Sequence, residues 1–186
     1  MPSYHDFDFD FDFTVDIPDH WHFMPSAWSP LEQGKRRDAA GAEPDALLQF
    51  AHAPFCCAMT HHDVLGKEQP TLQVTARASR VPGDAEAAAL LKFQMDMLRD
   101  EPEGFVVEQA THEARVAGHR ANFLQVTSTA RTEVEDLVAE VGVRSRMYLV
   151  FTPGIAFTIS LTSSDDPAYY DEADFEQIIQ SVRIGG

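Results

Sequence analysis

The densest set of ligand-type side chains in the sequence comprises His52, Cys56, Cys57, His61, His62 and Asp63. Thiolates and imidazoles are zinc ligands, but zinc sites usually draw them from a tight turn with two residues between cysteines, or from histidines four apart on a helix. Neither spacing occurs. Adjacent residues of a strand point to opposite faces, so Cys56 and Cys57 cannot readily share an ion that His61 and His62 also reach. The spacing favours one buried cysteine and a group of surface histidines. A metal-binding protein or metal-dependent enzyme using His52, Cys57, His61 and His62 is the alternative. His20 and His22 flank Trp21 and share a face of an extended chain, where adventitious metal binding is as good an account as function.

Catalysis finds little footing. There is no Gly-x-Ser-x-Gly elbow, no phosphate-cradling glycine loop followed by lysine and no dinucleotide fingerprint. Cys56 or Cys57 would meet His61 as a nucleophile and base only through tertiary contact. Asp165 and Asp166 are explained by a cap and turn before Pro167. The expectation is a protein without catalytic residues or cofactor. Arg144 and Arg146 alternate along an expected strand and share a face, so they could receive a carboxylate from a partner. Pairing with glutamates across the sheet is the plainer account.

The elements that must position these groups are legible from periodicity. At the C-terminal end, strands over 144–152 and 155–162 flank a Pro153-Gly154 turn, and Phe175, Ile178, Ile179 and Val182 then fall at i, i+3, i+4 and i+7, the apolar stripe of a docking helix. A last strand closes the chain. Near the start, Phe7, Phe9, Phe11 and Phe13 alternate with Asp8, Asp10 and Asp12, the pattern of a strand with phenyl rings inward and carboxylates outward. Such a row of aspartates could hold calcium, but calcium loops curve around a glycine that is absent here.

Pro18 forces a turn before Trp21, and 26–45 reads as a long loop carrying Lys35, Arg36 and Arg37. Short strands are expected over 47–51 and 55–60, and an alternating one over 71–79. Asp84 is the expected N-cap of a helix whose buried stripe is Ala87, Leu91, Met95 and Leu98; Met95 and Met97 are read as core filling. Strands over 105–112 and 120–129 follow, joined at Ala117-Gly118. Residues 133–142 fit a short helix or a hairpin connection.

The 186 residues suit one domain with its own core, and 44% hydrophobic and 10% aromatic residues are globular values. With 30 acidic against 14 basic side chains the formal charge is −16. That field disfavours nucleic acid and anionic membranes as partners. No segment reaches the roughly 20 apolar residues of a membrane helix, and residues 1–20 are acidic where an export signal would be basic and then apolar. Adjacent cysteines rarely bridge, and reduced thiols fit the cytoplasm.

Four segments together resemble the PsbP-like superfamily: Phe13-Thr14-Val15-Asp16-Ile17-Pro18 followed by Trp21, the Val116-Ala117-Gly118-His119-Arg120-Ala121 turn, the hairpin over 148–162, and the closing tail with Phe175, Ile178 and Ser181. That group includes the photosystem II extrinsic P subunit, the fungal Ran-binding release factor and bacterial proteins, some of them adaptors for type VI secretion effectors. The resemblance implies an α+β fold, a three-layer α/β/α sandwich around a central, mainly antiparallel sheet, with 1–186 as a single PsbP-like domain. It also implies a non-catalytic cytoplasmic adaptor that presents a sheet face or groove to a protein partner. The acidic Phe-Asp repeat, the basic loop and the Cys56-Cys57 segment depart from the family pattern. Candidate partner-binding residues are Trp21, Phe23 and Trp28, because aromatic anchors dominate interface energies, together with Arg144 and Arg146. Burial of the aromatic residues under the long loop is the competing account. A small-ligand carrier with a pocket between sheet and helix is a third reading.

Overall fold

The computed structural model describes residues 3–6, 12–24, 54–60, 67–99, 104–134, 137–169 and 172–185, with backbone alone for 3–6, 130–134 and 137–139. The described elements are β1 (Ser3–Asp6), β2 (Asp12–Asp16), β3 (Trp21–Phe23), β4 (Cys56–Thr60), β5 (Thr71–Ala78), α1 (Asp84–Arg99), β6 (Val106–Val116), β7 (His119–Val134), β8 (Leu137–Thr152), β9 (Ile155–Ser164), α2 (Glu172–Ser181) and β10 (Arg183–Gly185). The expected strand over 47–51, the basic loop and residues 7–11 of the Phe-Asp repeat lie outside the described residues.

Seven strands form one sheet in the order β3-β4-β5-β9-β8-β7-β6, and β1-β2-β10 form a smaller one. Every described pairing is antiparallel. The 133–142 ambiguity resolves as a hairpin, since β7 runs to Val134 and pairs with Leu137 at the start of β8.

Alternation in β9 builds the main core. Phe157, Ile159 and Leu161 are fully buried on one face, and the register sets Val150 and Ala76 beside Phe157, with Tyr148 and Val74 beside Ile159. Cross-strand rows of this kind are the unit of sheet stabilisation. Onto them pack Phe13 and Val15 of β2 and the α2 stripe of Phe175 and Ile178, with Val182 just beyond it. Adjacent strand residues face opposite ways, so Ala156, Leu149 and Phe151 lie on the other face. There they meet Ala87 of α1, while Leu124 and Val126 meet Leu91, Met95 and Leu98. Asn122 Nδ2 donates to Ala87 O at 2.9 Å and ties β7 to the helix.

The expected antiparallel sheet with helices packed on it is present. The expected α/β/α layering is not met in its simple form, because the layer beside α2 is partly strand: β2 contributes Phe13 and Val15 to the same core as the helix. The fold is therefore sheet-rich, with two helices among the described residues. Helix α1 begins at Asp84, and Gly83 O accepts the first-turn bond from Ala87 N–H at 2.9 Å. The Asp84 carboxylate pairs with Arg120 in place of the expected cap.

Candidate interaction surface

Four of the five candidate binding residues are packed or paired within the fold. Trp21 is 1% exposed. Its backbone N–H closes the Pro18 turn at 2.9 Å, which swings the indole inward against Phe175, with ring centroids 6.2 Å apart. The indole N–H then donates to Asp174 Oδ2 at 2.7 Å, an oxygen shared with His20 Nε2 at 2.7 Å. Phe23 is partly buried against the same core, and Trp28 lies outside the described residues.

Arg146 and Arg144 do share a face, but that face looks inward at α2. Arg146 is 7% exposed, opposite Leu161 on β9. Its Nη1 donates to Glu176 at 2.9 Å, its Nη2 pairs with Glu172, and its Nε donates to Gln125 at 2.9 Å. A buried guanidinium must satisfy its donors, and α2 supplies the acceptors from its first turns. Arg144 Nη2 pairs with Glu108 of β6 at 3.2 Å. Both side chains are thus engaged within the molecule.

Of the metal alternative, His52, His61 and His62 lie outside the described residues. Cys57 is half-buried, and burial pushes its thiol pKa up. Among the described residues no three His, Cys, Asp or Glu side chains are grouped to hold a metal, and no helix is long and apolar enough to cross a membrane.

The surface that sequence reasoning missed is on α1. Met95 packs on the core as expected, but Met97 is 53% exposed and Phe93 63% exposed. These two side chains are four residues apart and so neighbour each other on the helix. Leu90, partly buried against Leu149 and Phe151, continues the row at i, i+3 and i+7, the spacing a helix presents to a second apolar element. Lys92, Asp96 and Arg99 are exposed along one side of it. Val81, Val106 and Tyr169 are also exposed, which is ordinary for a protein surface, and Lys67 Nζ sits 5.3 Å from the Tyr169 ring centroid. The signal was in the sequence: once Ala87, Leu91, Met95 and Leu98 define the buried stripe, Phe93 falls well outside it.

No family model matches the chain, and no curated protein matches it. Among solved structures, LpqN of Mycobacterium tuberculosis, involved in cell envelope biogenesis, is similar with a TM-score of 0.51 and 15% identity, over 100% of this chain and 91% of that one. A structure from Bacteroides thetaiotaomicron is 10% identical with a TM-score of 0.43, over 92% of this chain and 44% of that one. At 15% identity the likeness to LpqN is one of fold.

Proposed function

We propose that this protein is a non-catalytic interaction protein that holds a protein partner on the Leu90, Phe93 and Met97 row of α1. The observation that carries the reading is the exposure of Phe93 and Met97 side by side on a helix whose opposite face already fills the core. Burying an apolar side chain of this size stabilises a complex by roughly 1.5–3 kcal/mol. Two half-exposed ones contribute about 3 kcal/mol together on the same scale. A partner with an apolar helical face fits the spacing.

In this reading the chain acts as one PsbP-like domain and as an adaptor, without cofactor. Cysteines that form no disulfide support a cytoplasmic place. The fold likeness to LpqN, a protein involved in cell envelope biogenesis, supports a bacterial envelope process as the one it serves, and the resemblance to PsbP-like adaptors supports secretion. Affinity capture from a bacterial lysate, followed by hydrogen exchange on the isolated complex, tests the proposal. Protection over 90–99 is the expected footprint; a partner that leaves α1 exchange unchanged rejects this surface.

A further inference from the structure

A cavity of about 340 Å³ lies at the start of α1, lined by Asp84, His112, Glu113, Ala114, Arg115 and Arg120. Two local devices build it. The β6-β7 hairpin turns through Ala117 and Gly118, both with positive φ (50° and 81°), the geometry that matches strand twist in a two-residue hairpin. The turn pins Val116 to His119, Arg115 to Arg120 and Ala114 to Ala121. Ala114 and Ala121 belong to the main core, so Arg115 and Arg120 stand together on the opposite face, where α1 begins. The second device is the register shift between Thr111 and Ala114. Thr111 Oγ1 accepts the Glu113 N–H at 3.1 Å, and the irregularity carries His112 and Glu113 to the cavity wall. Bulges commonly re-aim side chains in this way.

Like charges directly opposite across two strands are destabilising. The pairing is unexpected in a chain with 30 acidic and 14 basic side chains. Compensation within the protein is partial. Arg120 pairs with Asp84, whereas Arg115 donates to the neutral Gly118 carbonyl at 3.0 Å and has no carboxylate partner among the described residues. Glu113 lines the same cavity without pairing to it. A guanidinium presents paired N–H donors that match the two oxygens of a carboxylate or phosphate.

We infer that this cavity binds a small organic anion, whose carboxylate or phosphate group bridges Arg115 and Arg120. The Asp84 carboxylate is well exposed, and it yields its place on Arg120 to the ligand. The volume suits a small metabolite-sized ligand. The site is separate from the Phe93 and Met97 row and does not depend on the interaction reading.

The test is an NMR titration at constant ionic strength, with inorganic phosphate in one series and acetate in another, following the arginine Nε–H signals and the amides of 84–87 and 112–120. Saturable shifts confined to those positions are expected from at least one anion, and the series that saturates identifies the group. Arg115→Gln is expected to weaken that binding at least tenfold with no fall in Tm, and Arg115→Lys to weaken it several-fold by removing the fork while keeping the charge. Linear, unsaturating shifts in both series, or saturation that survives Arg115→Gln, would overturn the assignment.

Discussion

The Trp21 indole N–H donates to the Asp174 carboxylate at 2.7 Å, joining residues 153 positions apart. It fixes the β3 entrance to α2. A buried bond to a charged acceptor contributes about 1.5–3 kcal/mol, and removing the acceptor strands the donor. Asp174→Ala should therefore cost about 2 kcal/mol in urea unfolding. Trp21→Phe, which keeps the ring packing, should cost less than Trp21→Ala. A neutral result for Asp174→Ala would mean that packing alone holds Trp21 in place.

Arg146 is the counterpart on the other side of α2. Its partners Glu172 and Glu176 are more than half exposed, so the ion pairs themselves contribute little. The cost of Arg146→Ala, about 2 kcal/mol, comes from lost packing and from Gln125 left without its donor. Hydrogen exchange should quicken over 172–181 in that variant and stay unchanged in Arg144→Ala.

Gly142 lies beneath Asp165. The Asp165 N–H donates to Gly142 O at 2.9 Å, and a Cβ at Gly142 would collide with the Asp165 carboxylate. Gly142→Ala is expected to cost about 1 kcal/mol, since a side chain can turn away where a backbone cannot. In the Gly142→Ala, Asp165→Ala double variant that cost should vanish, a coupling read from a double-mutant cycle.

Lys67 and Asp166 give the stability curve two edges. Their 2.7 Å hydrogen bond lowers the Asp166 pKa, helped by the Ala168 N–H, and raises that of Lys67. The Asp166 contribution is present above the ordinary carboxylate value of 3.8 and is lost as pH falls through the lowered one. The Lys67 contribution is present below 10.5 and is lost as pH rises through the raised value. Wild type should exceed Lys67→Ala in stability between those edges, and the two curves should converge beyond them. A gap that persists below the carboxylate range would refute the pairing.

Much of the scaffold was legible because local rules suffice for it. The Pro153-Gly154 turn, with Gly154 at φ 87°, the β8-β9 hairpin and the α2 stripe all follow from residues within a few positions of one another. Trp21 was not legible, because its N–H is satisfied by a carboxylate far along the chain and periodicity carries no such information. Arg146 misled for a different reason. Strand β8 buries Tyr148 and Val150 toward α2, and Leu149 and Phe151 toward α1, so neither face reads as outward and alternation cannot tell where Arg144 and Arg146 point. Met97 was assigned by residue type when its helical position, beside Phe93, was the better guide.

The most direct test of the central claim replaces both exposed α1 side chains. Phe93→Ser with Met97→Ser should leave thermal unfolding nearly unchanged, because neither side chain is in the core. The affinity for the captured partner should fall roughly a hundredfold, the equivalent of about 3 kcal/mol. Undiminished capture by a folded double variant would contradict the account, and a large drop in Tm would make Phe93 and Met97 part of the core.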